Sequence, residues 1–550
     1  MKNNIFKYFL SAIALVIVFT ACQKKLEEYN PSGLTASTVY TKAVGFETLV
    51  NAAYSYSRYW YGKEEGYQLS EMGTDIWTSG TGDVYPQVSQ YNNLQGNNTN
   101  ALDLEWNSFY AAINLCNTGI TNIAAVTDYS AAQKATREGE LRFLRAFYNW
   151  HIVETWGGVQ LTTKPSDGVI TTANRTSVDS FYTQIFNDLQ FAVANLPLTT
   201  AEYGRATQPV AKAFLARMYL TRGQNAAAIA LANDVIKNYG YSLLPAYSDL
   251  WDMGKLKNKE VVWAVDYSTN LALNDLASST FPSGHSRGSN NGHLMFLMVY
   301  DQVNTSILIR DIPNGRPFNR YMPTLSFLNL FDDANDGRYA ASFQTVWTAN
   351  KAATGFAVGD TAAFASKAII SPAVMASKKY TTYDQAKTYA ANGVPVQRKF
   401  YVSLKKFKDS TRASLAEAQS ARDAYVIRLA EMYLIAAEAE VNIGKTDSAA
   451  YYVNIIRTRA ALPGKVAQMQ VTPAQMNLDF ILDERARELS GEQLRWFDLK
   501  RTGKLVDRIK TMNPDAAVYV QPFHTVRPIP QSQIDAVTNK SAFPQNQGYQ

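Results

Sequence analysis

The densest group of side chains that could perform acid–base chemistry lies near the C-terminus. It contains Glu484, Arg485, Glu488, Glu492, Arg495, Asp498 and Arg501. Glycoside hydrolysis needs two carboxylates flanking the bond, so this group makes a glycan hydrolase one alternative. However, spacings of three and four residues place opposite charges side by side on one helix face. Cations are also as numerous as anions nearby, so the pattern favours a structural ion-pair network over an active site.

Residues that commonly bind metals or activate nucleophiles form no recognisable site. The four histidines are scattered, and the aspartates of residues 332–336 lack the alternating ligands and the terminal Glu of a calcium loop. There is no phosphate-binding loop, nucleophile elbow or zinc-protease motif. The chain has 53 basic and 47 acidic residues, without a basic run that could follow a phosphate backbone. We therefore expect no cofactor, bound metal, nucleic-acid partner or enzymatic activity.

Aromatic residues are abundant, with 33 tyrosines and 9 tryptophans among 550 residues. Most of these rings should pack in the core, but Tyr and Trp combine an apolar face with a polar edge, which suits flat sugar rings. Two stretches, 59–96 and 278–292, contain few helix-forming runs, and the second is rich in Gly, Ser and Asn. Because loops on a rigid scaffold often carry binding residues, we interpret these stretches as the functional face.

The N-terminus has the features of a lipoprotein signal peptide. Lys2 and Lys7 precede an apolar run, residues 8–19, that is too short to span a bilayer. Small residues then lead to Cys22, as in a relaxed lipobox. We predict that residues 1–21 are removed, that Cys22 is lipidated, and that residues 22–37 form a flexible tether. An ordinary signal peptide with an incidental cysteine is the alternative.

Helix start and stop signals bound several segments with helical periodicity. Ser130 and Gln133 form a capping box for a helix that should run to Trp156 and stop at Gly157. Further helices should begin after Thr176 and Thr207, and at Asn225 and Thr446. Another is predicted from a face that contains Ile427, Ala430, Leu434, Ala437 and Val441. Residues 241–420 instead show loops and short strand-like runs, such as Val261–Tyr267.

Several blocks resemble hallmarks of the SusD/RagB family. They are residues 140–148 (ELRFLRAFY) with 156–159 (WGGV), 428–439 (RLAEMYLIAAEA), 483–489 (DERAREL) with 495–501 (RWFDLKR), and 528–530 (PIP) with 545–549 (QNQGY). They occur in the family's order and cover nearly the whole mature chain. One departure is Gln493, which follows Glu492 where the family usually has glycine.

This resemblance implies a mainly α fold with about four tetratricopeptide-like helix pairs and a loop-rich elaborated region carrying short strands. The expected organisation is a SusD-like helical region at 38–240 and a SusD/RagB region at 241–550, forming one intertwined body. Within the latter, residues 241–420 are loop-rich, 421–510 helical and 511–550 a C-terminal tail.

The resemblance also implies a function. A lipid-anchored protein on the extracellular side of the outer membrane would capture an oligosaccharide or polysaccharide and deliver it to a SusC-like, TonB-dependent transporter. A peptide-binding or protein-binding lipoprotein of the same kind of uptake complex is the alternative.

The predicted ligand site combines the two loop-rich stretches with the middle region, where family members usually build their sites. An arc of exposed rings is expected from Trp60, Tyr61, Trp77, Tyr85 and Trp347. Asp75 and Arg287 should supply hydrogen bonds to sugar hydroxyls.

Overall fold

The computed structural model describes residues 39–268, 270 and 290–550. The α-helices in these ranges are α1 (Ala43–Ser55), α2 (Glu64–Ser70), α3 (Pro86–Gln90), α4 (Asn100–Asn122), α5 (Ala131–Trp156), α6 (Val178–Asn195), α7 (Gln208–Thr221), α8 (Asn225–Asn238), α9 (Gly292–Met295), α10 (Leu325–Asn329), α11 (Gly337–Ser342), α12 (Pro372–Ala376), α13 (Gln385–Thr388), α14 (Leu429–Asn442), α15 (Thr446–Ala460), α16 (Val466–Met469), α17 (Leu478–Leu489), α18 (Arg495–Arg501), α19 (Leu505–Met512) and α20 (Gln531–Ala536). Helices therefore dominate the fold, as predicted.

Within the described ranges, the strands are short and form four small sheets. They are β1 (Trp77–Ser79), β2 (Val261–Val265), β3 (Tyr321–Pro323), β4 (Phe343–Gln344), β5 (Val346–Thr348), β6 (Thr361–Ala365), β7 (Thr381–Tyr383), β8 (Ser403–Leu404) and β9 (Ala424–Arg428). β1 pairs with β3, β2 with β9 and β4 with β8, while β5, β6 and β7 form a three-stranded sheet. All pairings are antiparallel except that of β6 with β7.

Consecutive long helices pack against one another as pairs, which is consistent with the predicted tetratricopeptide-like arrangement. α4 packs on α5, α5 on α6, α7 on α8 and α14 on α15, while α8 packs on α14 and joins the two halves of the chain. The capping box of Ser130 and Gln133 begins α5, and Gly157, at φ 74°, ends it. Links of three residues join α7 to α8 and α14 to α15, so these neighbouring helices lie side by side.

Two predicted boundaries need correction. α6 begins at Val178 with Ser177 as its N-cap, because the Ser177 side chain accepts a hydrogen bond from the Ser180 amide. The predicted cap was Thr176, one residue earlier. Ile427 lies in β9 rather than on a helix, since it pairs with Trp263 of β2. The helix that follows starts only at Leu429. The predicted strand at Val261 is confirmed over Val261–Val265.

The β2–β9 pair is the connection between the helical body and the elaborated region. The chain leaves β2 at Val265 and returns at Ala424, and these two residues are partners in the pair. Most of the buried apolar side chains that the structure describes between them pack in a second core, which also contains Tyr67 and Trp77. Along the described ranges, no helix combines the length and apolar character needed to cross a membrane.

Candidate functional site

The structure brings the first predicted stretch against the middle region. The Asn291 amide donates to the Gly62 carbonyl at 2.9 Å. β1 pairs with β3 in the register Ser79 to Tyr321. The Tyr321 hydroxyl also donates to the Glu64 carbonyl at 2.9 Å. Segments far apart in sequence therefore share one face, although most of stretch 278–292 lies outside the described residues.

The prediction of an exposed aromatic arc is wrong for four of its five rings. The rings that are at most 1% exposed are Trp60, Tyr61, Trp77 and Trp347. Trp60 and Tyr61 pack on the imidazole of His151, with ring centroids 4.9 and 5.9 Å apart. Trp77 lies against Phe296 at 4.8 Å. Trp347 is the inward residue of β5, between two exposed neighbours. These rings pack in the two cores and offer no surface to a sugar.

Asp75 is also a structural residue. Its carboxylate is fully buried and pairs with the guanidinium groups of Arg495 and Arg508. Burial raises the pKa of Asp75, but the two guanidinium groups outweigh it and hold that pKa below its ordinary value. The carboxylate is therefore committed to two internal cations and is not available to sugar hydroxyls. Arg287 and Cys22 lie outside the described residues.

Tyr85 is the one predicted ring that reaches the surface, and it belongs to a mixed polar and aromatic group. We call the following six residues the Tyr85 cluster: Glu64, Glu65, Asp83, Tyr85, Phe318 and Arg320. All six are half-buried. The Tyr85 hydroxyl is 3.5 Å from Glu65 Oε1, and Glu64 Oε1 is 2.6 Å from Arg320 Nε. The side chains are thus close together at a partly open surface.

Local structure positions the acidic side of the cluster. Glu64 and Glu65 occupy the first turn of α2, where the helix dipole favours negative charge. Asp83 accepts hydrogen bonds from the hydroxyls of Ser79 and Ser89 at 2.7 and 2.6 Å, and from the Tyr85 amide at 2.9 Å. These bonds fix the loop before α3, and therefore the orientation of the Tyr85 ring.

The basic side of the cluster comes from residues 316–320 of the elaborated region. Arg316 and Arg320 flank Phe318 at spacings of two, and Asn319 turns the chain with a left-handed backbone conformation at φ 56°. Both guanidinium groups lie over the Phe318 ring, at 5.2 and 5.1 Å from its centroid. Gly82 allows this segment to approach, because a Cβ there would lie 2.2 Å from the Phe318 carbonyl oxygen.

Sequence reasoning missed five members of the cluster, namely Glu64, Glu65, Asp83, Phe318 and Arg320. One usable signal was the alternation of Arg316, Phe318 and Arg320. Two arginines that flank an aromatic residue at this spacing can both lie over its ring, as they do here. The carboxylates gave no comparable signal, because their proximity to Arg320 depends on the pairing of β1 with β3.

The electrostatics of the Tyr85 cluster suit hydrogen bonding to hydroxyl groups. Burial raises the pKa of Glu64 to about 7, while the Arg320 guanidinium opposes this change. Burial likewise raises the pKa of Asp83 and that of the Tyr85 hydroxyl. Tyr85 is therefore neutral at physiological pH. The cluster offers neutral and charged donors, several acceptors and two aromatic rings, which is a set for binding a polyhydroxylated molecule.

The carboxylates of the C-terminal block form a buried ion-pair network, as the spacing favoured. Glu488 is fully buried and lies within 3.1 Å of both Arg338 and Arg428. Glu484 pairs with Arg338 at 2.8 Å and with Arg487 at 2.7 Å. With their oxygens directed at guanidinium groups in a closed interior, these carboxylates have a structural role. In the part of the chain that the structure describes, no group of three metal-binding side chains comes together.

Comparisons with known proteins agree with this architecture. Residues 259–549 match the family described as "SusD family", and residues 26–220 match "Starch-binding associating with outer membrane". The chain is 26% identical over 569 residues to SusD-like protein P2 of Formosa agariphila, covering 99% of this chain and 100% of that protein. It is 24% identical over 515 residues to a SusD-like protein of Bacteroides ovatus, covering 88% and 80% of the two chains.

Two solved structures show the same fold. A laminarin-binding SusD-like protein superposes with a TM-score of 0.72 at 22% identity, covering 92% of this chain and 100% of that one. Surface glycan-binding protein A from Bacteroides thetaiotaomicron, in complex with laminarihexaose, gives 0.67 at 20% identity, with coverage of 92% and 100%.

Proposed function

Because this chain belongs to the SusD family, we propose that it binds glycan chains at the Tyr85 cluster without cleaving them. The composition of the cluster is the main support. Two half-buried rings, Tyr85 and Phe318, lie beside three carboxylates and the Arg320 guanidinium. Aromatic faces suit the C–H faces of sugar rings, and carboxylate and guanidinium groups suit their hydroxyls. The two glycan-binding structural neighbours add support for this class of ligand.

Replacing both rings, as Tyr85→Ala with Phe318→Ala, is expected to weaken glycan affinity about tenfold or more. Each stacked ring contributes on the order of 1 kcal/mol to binding beyond the effect of its buried area. The loss of two rings is therefore expected to raise Kd about tenfold or more. A glycan array that includes laminarihexaose would first identify a bound neutral oligosaccharide. Calorimetry with that oligosaccharide then measures the affinity of the wild type and the variant.

Tyr451→Ala is the matched control, because this tyrosine is 64% exposed on α15, away from the cluster. Its affinity should equal that of the wild type. Equal affinity of the folded double variant would contradict the proposed site. Release of shorter sugars from the bound oligosaccharide would contradict binding without cleavage, and a selective response to peptides would favour the peptide-binding alternative.

We further propose that the protein is lipidated at Cys22, faces the extracellular side and passes its ligand to a TonB-dependent, SusC-like transporter. The lipobox-like sequence before Cys22 supports the anchor. The family description, which includes association with the outer membrane, supports the location. Delivery to the transporter rests on the resemblance to SusD/RagB proteins.

Purification from native outer membranes tests the anchor and the partner together. Wild-type protein is expected in the membrane fraction and, in mild detergent, should be recovered with a TonB-dependent transporter. In cells that lack the transporter, Cys22→Ala should move the protein to the soluble fraction, because the acyl chains are its only proposed anchor. Membrane retention of that variant would contradict lipidation at Cys22, and repeated recovery of the wild type alone would contradict the partnership.

A further inference from the structure

A second cleft, which shares no residue with the Tyr85 cluster, opens between the helical body and the elaborated region. Its volume is about 800 Å³, within the ~300–1,000 Å³ usual for small-molecule pockets. The walls come from the 3₁₀ turn Tyr247–Trp251, α11, the end of α15, and the segment 405–410. The cleft is therefore lined by ordered elements at the junction of the helical body and the elaborated region.

One wall of this cleft is aromatic and held in place. Trp251 is half-buried, and its ring lies 5.7 Å from that of Tyr247 in an edge-to-face arrangement. The Lys406 ammonium lies 4.6 Å from the Trp251 ring. The Trp251 carbonyl accepts a hydrogen bond from Arg422 at 2.9 Å. Ala340 and Ala341 line the cleft with side chains too small to fill it.

The cleft also carries two lysines whose charge is not balanced. Among the described residues, neither Lys405 nor Lys408 has a carboxylate within ion-pair distance. Lys408 Nζ donates to the neutral Gln344 side chain at 2.9 Å. Burial lowers the pKa of both ammonium groups, and Lys405 further lowers that of Lys408, to about 8. The site therefore solvates both ammonium groups poorly.

The other charged side chains that line the cleft, Arg459 and Asp252, each have a partner. Arg459 pairs with Glu260 at 2.8 Å and also with Glu488. Asp252 accepts the Gly254 amide at 2.8 Å and so caps the next turn. The backbones of the lysines are fixed, because the Lys405 amide donates to Ser342 and Arg422 donates to the Lys408 carbonyl, both at 2.7 Å. The cleft is therefore lined by three cationic side chains and one carboxylate, on a fixed backbone.

We propose that this cleft binds an acidic saccharide, with its carboxylate or sulfate group against Lys405 and Lys408 and a sugar ring against Trp251. A half-open pocket of this size accepts a short oligosaccharide, and the two ammonium groups supply charge-assisted hydrogen bonds. Ser248 and Ser410 on the rim provide hydroxyl partners. The choice of a saccharide rests on the proposed function, whereas the preference for an anion comes from this cleft alone.

Calorimetry at neutral pH with four probes tests the proposal, on the Tyr85→Ala with Phe318→Ala variant so that a neutral glycan bound at the Tyr85 cluster does not contribute. The probes are an alginate trisaccharide, a sulfated carrageenan disaccharide, neutral laminaritriose and sodium sulfate. At least one acidic saccharide should bind about tenfold or more tightly than the neutral sugar and the inorganic anion. Comparable binding of laminaritriose or of sulfate would overturn the proposal, as would the failure of both acidic probes to bind.

Lys405→Gln with Lys408→Gln should weaken binding of the acidic saccharide at least about tenfold. Lys351→Gln with Lys378→Gln is the matched control, because it removes two exposed charges from the same region and should leave affinity unchanged. Tyr85→Ala with Phe318→Ala should also leave the affinity for the acidic saccharide unchanged. A failure of the proposed cleft site can therefore be distinguished from a failure of the proposed Tyr85 cluster site. Unchanged affinity of Lys405→Gln with Lys408→Gln for the acidic saccharide would overturn the assignment. The assignment would also be overturned if this variant still bound the saccharide but were no longer recovered with the transporter.

Protection of the wild-type lysines provides a measurement that does not depend on the folding of a variant. The bound acidic saccharide should slow acetylation of Lys405 and Lys408, measured by mass spectrometry, while Lys351 and Lys378 react at an unchanged rate. Equal modification of all four lysines with and without the saccharide would overturn the proposal.

Discussion

Replacing Glu488 with glutamine is expected to lower the free energy of unfolding by about 3–5 kcal/mol, the usual cost of breaking a buried ion pair from one side. The carboxylate is fully buried on α17. It lies within ion-pair distance of Arg338 on α11, Arg428 at the end of β9 and Arg459 on α15. The amide would leave three desolvated guanidinium groups short of negative charge.

The position of Glu488 explains why this loss should affect the whole molecule. Arg338 belongs to the elaborated region, and Arg428 ends the strand through which the chain returns from it. Glu488 therefore links the elaborated region to the helical body. Its backbone carbonyl also accepts a hydrogen bond from Tyr247 at 2.9 Å. Urea denaturation of the wild type and the variant, followed by far-UV circular dichroism, measures the difference.

Asp479→Asn is the matched control, because it makes the same carboxylate-to-amide change on the same helix. The Asp479 side chain is 55% exposed and pairs with Lys504 at 3.0 Å. Pairs of this kind contribute about 1 kcal/mol or less, so the control should unfold almost as the wild type does. Equal, small losses for both variants would show that the buried network does not stabilise the fold.

Acid should reduce the difference in free energy of unfolding between the wild type and Glu488→Gln. Burial opposes ionisation of Glu488, but Arg459, Arg428 and Arg338 outweigh it and lower its pKa from 4.5 to about 2. A carboxyl group with a lowered pKa in the folded state stabilises the fold above its unfolded pKa. The contribution of Glu488 is therefore expected to disappear as the pH falls from 4.5 towards 2.

Trp60→Ala is expected to cost about 3–5 kcal/mol of unfolding free energy, as for other large rings removed from a core. The indole is fully buried, with the rings of Phe109, His151 and Phe497 at centroid distances of 5.7, 4.9 and 5.9 Å. Its removal leaves a cavity where α4, α5 and α18 meet. Urea denaturation measures the loss, and Tyr451→Ala, an exposed ring, should stay within about 0.5 kcal/mol of the wild type.

This experiment separates a core role for Trp60 from a binding role. If Trp60 is a core residue, the variant should lose much of its stability, and its glycan affinity should fall only because part of the protein is unfolded. A variant of wild-type stability that binds glycan weakly would instead place the ring at the ligand surface and contradict the packing described here.

Local structure was predictable from neighbouring residues, because the forces that set it act over a few residues. The reciprocal hydrogen bonds of Ser130 and Gln133 and the positive φ of Gly157 bound α5 at both ends, and both signals are visible in the sequence. The charge spacing in α17 likewise indicated ion pairing rather than catalysis. The mainly helical class followed from many such signals and from the blocks that resemble the SusD/RagB family.

The tertiary structure decided which aromatic residues are exposed. Trp60 and Trp77 lie in segments without helical periodicity, yet both are core residues, because rings from distant parts of the chain cover them. Asp75 pairs with Arg495 across 420 residues, a contact that no local pattern indicates. The Tyr85 cluster likewise exists only because β1 pairs with β3 and brings Arg320 to Glu64. Burial depends on which distant segments meet, so the sequence alone indicated the aromatic and polar residues available for a site but not which of them reach the surface.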